Sequence, residues 1–236
     1  MKKIQSFPLF LFCVVMISAC NGQVKPIGKE PLKLLDFNFK NKVSALYPAA
    51  YKNKEYEGYY DLPVNGETRM IKTDTTYNNE YDEGKKAIGM EYRQVSSSSG
   101  DVLAVVGEQE FNTLNLAAAL DGTVKVIGCE VSELTDTETK KFIESLNKKF
   151  GNAKKLEGEF MNKFFIYEWE AHDKVFRFST VFTDEKNAMK IEVDQQSGKM
   201  KEGERTPHHE GYFFVINKAY IKDLETLHTG AFVYIK

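Results

Sequence analysis

The sequence predicts an α+β fold, with an antiparallel sheet or sheets and one well-defined helix packed on a face. Three observations point there. In residues 164–171, Phe165, Tyr167, Trp169 and Ala171 share one face. His172-Asp173-Lys174 turns the chain, and Phe176, Phe178, Thr180 and Phe182 share a face on the return. Thr135-Asp136-Thr137-Glu138 fits a capping box, and Phe142, Ile143, Leu146 and Phe150 follow at helical spacing before Gly151. Asp121-Gly122 is a turn dipeptide ahead of an apolar run at 124–131. A helix laid on one face of an antiparallel sheet accommodates all three.

Residues 21–31 hold two glycines, two prolines and little apolar content, and read as a tether. Residues 32–39 (LKLLDFNF) read as a strand, and 41–47 as a short helix stopped by Pro48. The stretch 47–93 is polar but carries eight of the twelve tyrosines. SSSSG at 96–100 is loop-like and the best point to divide the chain into two subdomains. Residues 102–106 read as a strand, while 114–120 suit either a strand or, with their alanines, a helical turn. Met189, Ile191 and Val193 alternate with charged residues as in a half-buried strand. Residues 195–203 read as loop, 212–216 and 232–235 as closing strands, and 219–227 as a helix between them.

The first residues carry a different signal. Met1-Lys2-Lys3 is positive, 7–17 is apolar throughout, and small residues follow, the layout of a secretory signal peptide. The apolar run is shorter than the about 20 residues that a spanning helix needs. Ile17-Ser18-Ala19-Cys20 resembles the lipobox of bacterial lipoprotein precursors: an aliphatic residue, two small ones, then cysteine. In that family the cysteine is diacylated on sulfur, the chain is cut before it, and the new amino group is often acylated. The resemblance therefore implies a signal peptide at 1–19, a lipidated Cys20 opening the segment 20–31, and an α+β domain at 32–236. Two acyl chains anchor stably where one does not. In the best-known Gram-negative lipoproteins an aspartate after the cysteine retains the protein in the inner membrane. Asn21 is compatible with the outer membrane, and the absence of acidic residues at 21–25 favours a periplasm-facing domain over surface export.

Loss of residues 1–19 removes two lysines and takes the formal charge from −2 to −4. That balance, with only Arg69, Arg93, Arg177 and Arg205 as arginines, argues against nucleic acid as a partner. With Cys13 removed and Cys20 acylated, Cys129 is the one thiol left, so no internal disulfide forms and stability must come from burial. Cys129 shares a strand face with Ile127 and Val131, where a buried, inert thiol is expected.

Two groups of residues are candidate sites. Tyr56, Tyr59 and Tyr60 offer apolar faces with polar tips, suited to a glycan, a peptide or another envelope protein. His208, His209 and Glu210 are the densest set of metal-ligand types and would serve a metal-dependent envelope hydrolase, with His172 and His228 as further ligands. Neighbouring histidines on a strand point to opposite faces, so that reading needs an irregular loop. Asp74 to Gly84 has oxygen ligands but lacks the spacing of a calcium loop, and no G-x-S-x-G motif occurs. The sequence therefore predicts a lipid-anchored binding module that requires no cofactor.

Overall fold

The computed structural model describes residues 24–79, 84–96, 98, 100–184, 191–194, 198–204 and 206–236. The lipobox and Cys20 lie outside the described residues. Nine strands form one antiparallel sheet in the order β2-β3-β4-β7-β8-β14-β11-β10-β9. They are β2 (Tyr59–Val64), β3 (Glu67–Tyr77), β4 (Ala87–Gln94), β7 (Thr113–Ala119), β8 (Val124–Leu134), β9 (Lys154–Phe160), β10 (Asn162–Glu170), β11 (Lys174–Thr183) and β14 (His208–Asn217). A three-stranded sheet joins β1 (Leu32–Lys33), β5 (Ala104–Val106) and β6 (Gln109–Phe111), and β12 (Ile191–Val193) pairs with β13 (Met200–Glu202). The helices are α1 (Val43–Leu46) and α2 (Asp136–Phe150), with 3-10 turns at Leu34–Asp36, Ala49–Tyr51, Lys218–Thr226 and Gly230–Tyr234.

The α+β expectation is corrected. Strands take 48% of the described residues against 20% helical, only one helix is clear among them, and the fold is β-rich. The shortfall in the sequence reading lies at 59–94, read only as polar and tyrosine-rich, where three strands run. Leu62, Val64 and Ile71 are buried there, but they are set among Thr, Lys, Asp and Glu, so apolar alternation is faint. Residues 232–234 likewise lie in a 3-10 turn rather than a strand, and Ile235 caps it. Of 32–39, only Leu32–Lys33 is extended.

β8 stands at the centre. On one side β2-β3-β4-β7 meander inward from an outer edge; on the other β9-β10-β11-β14 do the same. α2 carries the chain from the central β8 to the far edge at β9. Its ends are as the sequence predicts: Glu138 N–H donates to Thr135 Oγ1 (3.2 Å), Thr135 N–H donates to Glu138 (2.8 Å), and Gly151 caps the C-terminus with φ 88°. Phe142 projects into a cluster with Phe111, Phe178 and Phe213, ring centroids 4.7–6.1 Å from its own. Burying such a ring contributes roughly 1.5–3 kcal/mol. Asn147 Oδ1 accepts from both Ala153 N–H and Trp169 Nε1–H (2.9 Å each), tying the helix to β10.

The sheet buries both faces. Ile127, Cys129, Phe213 and Val215 pack beneath α2 in the larger core. Val126, Val175, Phe214 and Ile216 point the other way, into a second core closed by Leu224, Leu227, Phe232 and Ile235 from the C-terminal 3-10 turns. Gly128 permits this closure, since a Cβ there would lie 3.0 Å from Phe214 and 3.3 Å from Phe232. β4 pairs directly with β7, and buried Asp101 accepts from Arg69 of β3.

Candidate functional site

The tyrosine-rich stretch builds a groove on the α2 face of the sheet, at the β2 end. Pro48 cannot donate to the preceding turn and closes α1, and Ala49–Tyr51 makes one 3-10 turn. Asn53 then pins the following loop. Its Oδ1 accepts from the N–H groups of Glu55 (2.8 Å) and Tyr56 (2.7 Å), as a short polar side chain does at turns. Its Nδ2 donates to both oxygens of Asp61 (2.9 Å each), and its backbone N–H to the Tyr59 carbonyl (2.9 Å). At the other end Thr73 donates to the Gly58 carbonyl through N–H (2.7 Å) and Oγ1 (2.8 Å).

This loop and the strands β2 to β4 enclose a cavity of about 680 Å³, lined by Tyr56, Tyr59, Tyr60 and Tyr92 together with Thr73 and Met90. Tyr56 stands 58% exposed, edge-on to Tyr59 at 6.3 Å. Tyr60 and Tyr92 form the floor, 5.9 Å apart, and buried Tyr47 stacks on Tyr92 at 5.2 Å with planes 5° apart. Burial, with a smaller effect from Tyr60, pushes the Tyr92 phenol up to about 12. Burial also holds Tyr47 well above the usual phenol range. Both phenols stay neutral at physiological pH. The buried hydroxyls of Tyr47 and Tyr51 have no hydrogen-bond partner among the described residues. Lys52, Lys54, Glu55 and Glu57 at the rim carry balanced charge.

The structure thus brings Tyr56, Tyr59 and Tyr60 together, and joins to them Tyr92 and Tyr47 from the two ends of the same tyrosine-rich stretch. His208, His209 and Glu210 are divided. They lie in β14, where His209 Nε2 pairs with Asp136 Oδ1 (2.7 Å) at the start of α2 and its ring meets Phe182. Glu210 accepts from Tyr212 (2.7 Å) on the opposite face, and His208 Nδ1 contacts the Thr206 carbonyl (2.7 Å). Among the described residues no three His, Cys, Asp or Glu side chains converge as metal ligands. Cys129 is fully buried, its Sγ 3.5 Å from the Phe213 carbonyl, and burial pushes its pKa up, so the thiol is unreactive.

Two polar groupings escaped the sequence reading, which named Glu210 only beside His208 and His209. A notch of about 240 Å³ holds Glu130 and Glu210 beside Thr113 and Tyr212; burial chiefly, and the Glu210 charge, raise the Glu130 pKa. Near the sheet centre, buried Glu91 accepts from Thr229 and lies 3.5 Å from Thr76 Oγ1. The carboxylates of the notch are far apart in sequence, and strand alternation alone could have placed each on a face, but not beside the other.

No protein-family model matches the chain, and neither a curated protein nor a solved structure resembles it significantly. The groove is therefore interpreted from its own chemistry.

Proposed function

We propose that this protein is a lipoprotein of the bacterial envelope, anchored in the outer membrane through acylated Cys20, whose periplasm-facing domain binds an envelope peptide, glycan or protein segment in the tyrosine groove. The observation that carries this reading is the convergence of Tyr56, Tyr59, Tyr60 and Tyr92 on one cavity. Its volume falls within the roughly 300–1,000 Å³ typical of small-ligand sites. Phenol rings offer flat apolar faces to sugar C–H groups or peptide side chains with few rotamers to freeze, and their hydroxyls donate at the edges. The balanced rim charge favours a neutral or zwitterionic ligand over a polyanion. A metal-dependent hydrolase on His208, His209 and Glu210 gains no support from a strand that turns His209 away from the other two.

Titration of the soluble domain with muropeptides, which carry both sugar and peptide, and with each part alone, tests the groove. Binding is expected, and Tyr56→Ala should weaken it about tenfold, or about 1.4 kcal/mol, without altering the fold. Affinity indifferent to Tyr56→Ala and Tyr59→Ala, or no binding at all, removes the groove as the site. Intact mass and membrane partition of the full chain beside Cys20→Ala test the anchor. Acyl mass and membrane association should both vanish in the variant.

A further inference from the structure

Residues 24–31, within the segment expected to act as a tether, are fastened to the domain at several points. Ile27 is 1% exposed and its N–H donates to the Leu46 carbonyl (3.1 Å). Gly28, at φ 88°, presses so close to β2 that a Cβ would lie 2.4 Å from the Pro63 carbonyl oxygen. Leu32 N–H donates to the Leu103 carbonyl (2.9 Å), completing the attachment. Between Cys20 and packed Val24 only four peptide units remain, a reach of about 14 Å at full extension.

We propose that the domain docks directly on the membrane through the surface around residues 24–33, with the β2 edge of the sheet near the lipid and the β9 edge remote. This rests on the reading of Cys20 as the lipid anchor. So short a link leaves little freedom to swing, and it emerges beside exposed Lys25, Lys29 and Lys33. Glu30 pairs with Lys25 (2.7 Å), whereas Lys29 and Lys33 have no ion pair among the described residues. Anionic headgroups within a Debye length of about 8 Å complement these lysines. The occupant of the surface is therefore an anionic lipid face. Nine strands at about 4.8 Å spacing put the two edges about 38 Å apart. The β9–β10 hairpin tip, where Phe160 and Met161 are 42% and 90% exposed, offers the rival apolar contact at the far edge.

The test uses the full acylated protein in vesicles of phosphatidylethanolamine and phosphatidylglycerol, with a fluorophore on Pro31→Cys or on Met161→Cys and a headgroup quencher in the lipid. Buried Cys129 does not compete for label. Quenching at position 31 should exceed that at 161 about threefold, and should fall in about 0.5 M salt. Inserting about fifteen Gly/Ser residues after Gln23 should abolish the difference. Equal quenching at the two positions in the parent protein overturns docking, and stronger quenching at 161 shows that the hairpin tip faces the lipid instead. Intact mass of the same sample separates the two claims. Absent acyl groups refute the anchor and the docking with it, whereas acylated protein with the wrong quenching pattern refutes docking alone.

Discussion

Glu91 shows how much a single residue owes to partners remote in the chain. It sits between Met90 and Tyr92 of β4, both lining the groove, yet its own carboxyl faces the second core beneath Thr229, 138 residues further on. Burial raises its pKa, outweighing the opposing hydrogen bond from Thr229 and the charge of His228. A carboxyl whose pKa is raised on folding holds its proton more tightly in the folded state than in the unfolded chain. Its contribution to stability is fully present below the unfolded value of about 4.5 and is lost as pH rises through the higher folded value. Glu91→Gln keeps an acceptor for Thr229 without the buried charge. It should raise stability at pH 8 relative to the parent, with the gain shrinking toward pH 5, as read from denaturant unfolding at both. Parallel pH profiles for the two proteins would refute this. Tyr56, Tyr59 and Tyr60 were legible as a candidate site because they are sequence neighbours. Tyr47 and Tyr92 lie at the two ends of the same tyrosine-rich stretch, but their stacking on one another leaves no local trace.

Among the elements, α2 was the most legible, since its signals lie within the helix and its caps. Thr135 and Glu138 satisfy each other's backbone donors, Gly151 closes the other end, and Phe142 and Leu146 are buried as their spacing predicts. Thr135→Ala should cost about 1 kcal/mol, because it exposes the first turn without touching the core. Thermal unfolding should register a lower midpoint with unchanged tryptophan emission; an unaltered midpoint would mean that the cap contributes nothing. The strands of the β2–β4 meander were the least legible. Thr, Lys and Asp in β3 face partners such as Arg93, which bonds Asp74 (3.2 Å), so polar residues take up pairing sites that apolar ones would advertise. One order recurs in both halves: a helix, an edge strand, an inward meander, a small hairpin pair, then the strand beside β8. That recurrence is topological, and the sequence carries no repeat to betray it.

For the molecule as a whole, the C-terminal 3-10 turns close the second core and are bolted to the sheet by polar anchors. Lys125 pairs with Asp223 (2.9 Å), Arg177 donates to the Ile235 carbonyl (2.6 Å), and Ser179 donates to the Tyr234 carbonyl (2.6 Å). Phe232 is 1% exposed against Phe214 and Gly128. Phe232→Ala should therefore cost about 3–5 kcal/mol through the void it leaves. Because β8 pairs with the inner strand of each meander, Trp169 fluorescence and far-ultraviolet circular dichroism should lose signal together in one transition, in parent and variant alike. Separate transitions would show that the meanders fold independently. By itself the sequence determined the lipobox resemblance, the ends of α2, the aromatic hairpin of β10 and β11, and the cluster of tyrosines, all patterns that complete themselves within a few residues. Tertiary structure alone decided that the fold is β-rich, that the C-terminus packs as a cover rather than a closing strand, that residues 208–210 run as a strand paired with β11 rather than as an irregular loop, and that residues 24–31 lie against the domain. Each of those depends on pairing or burial between segments far apart in the chain, which short-range periodicity does not encode.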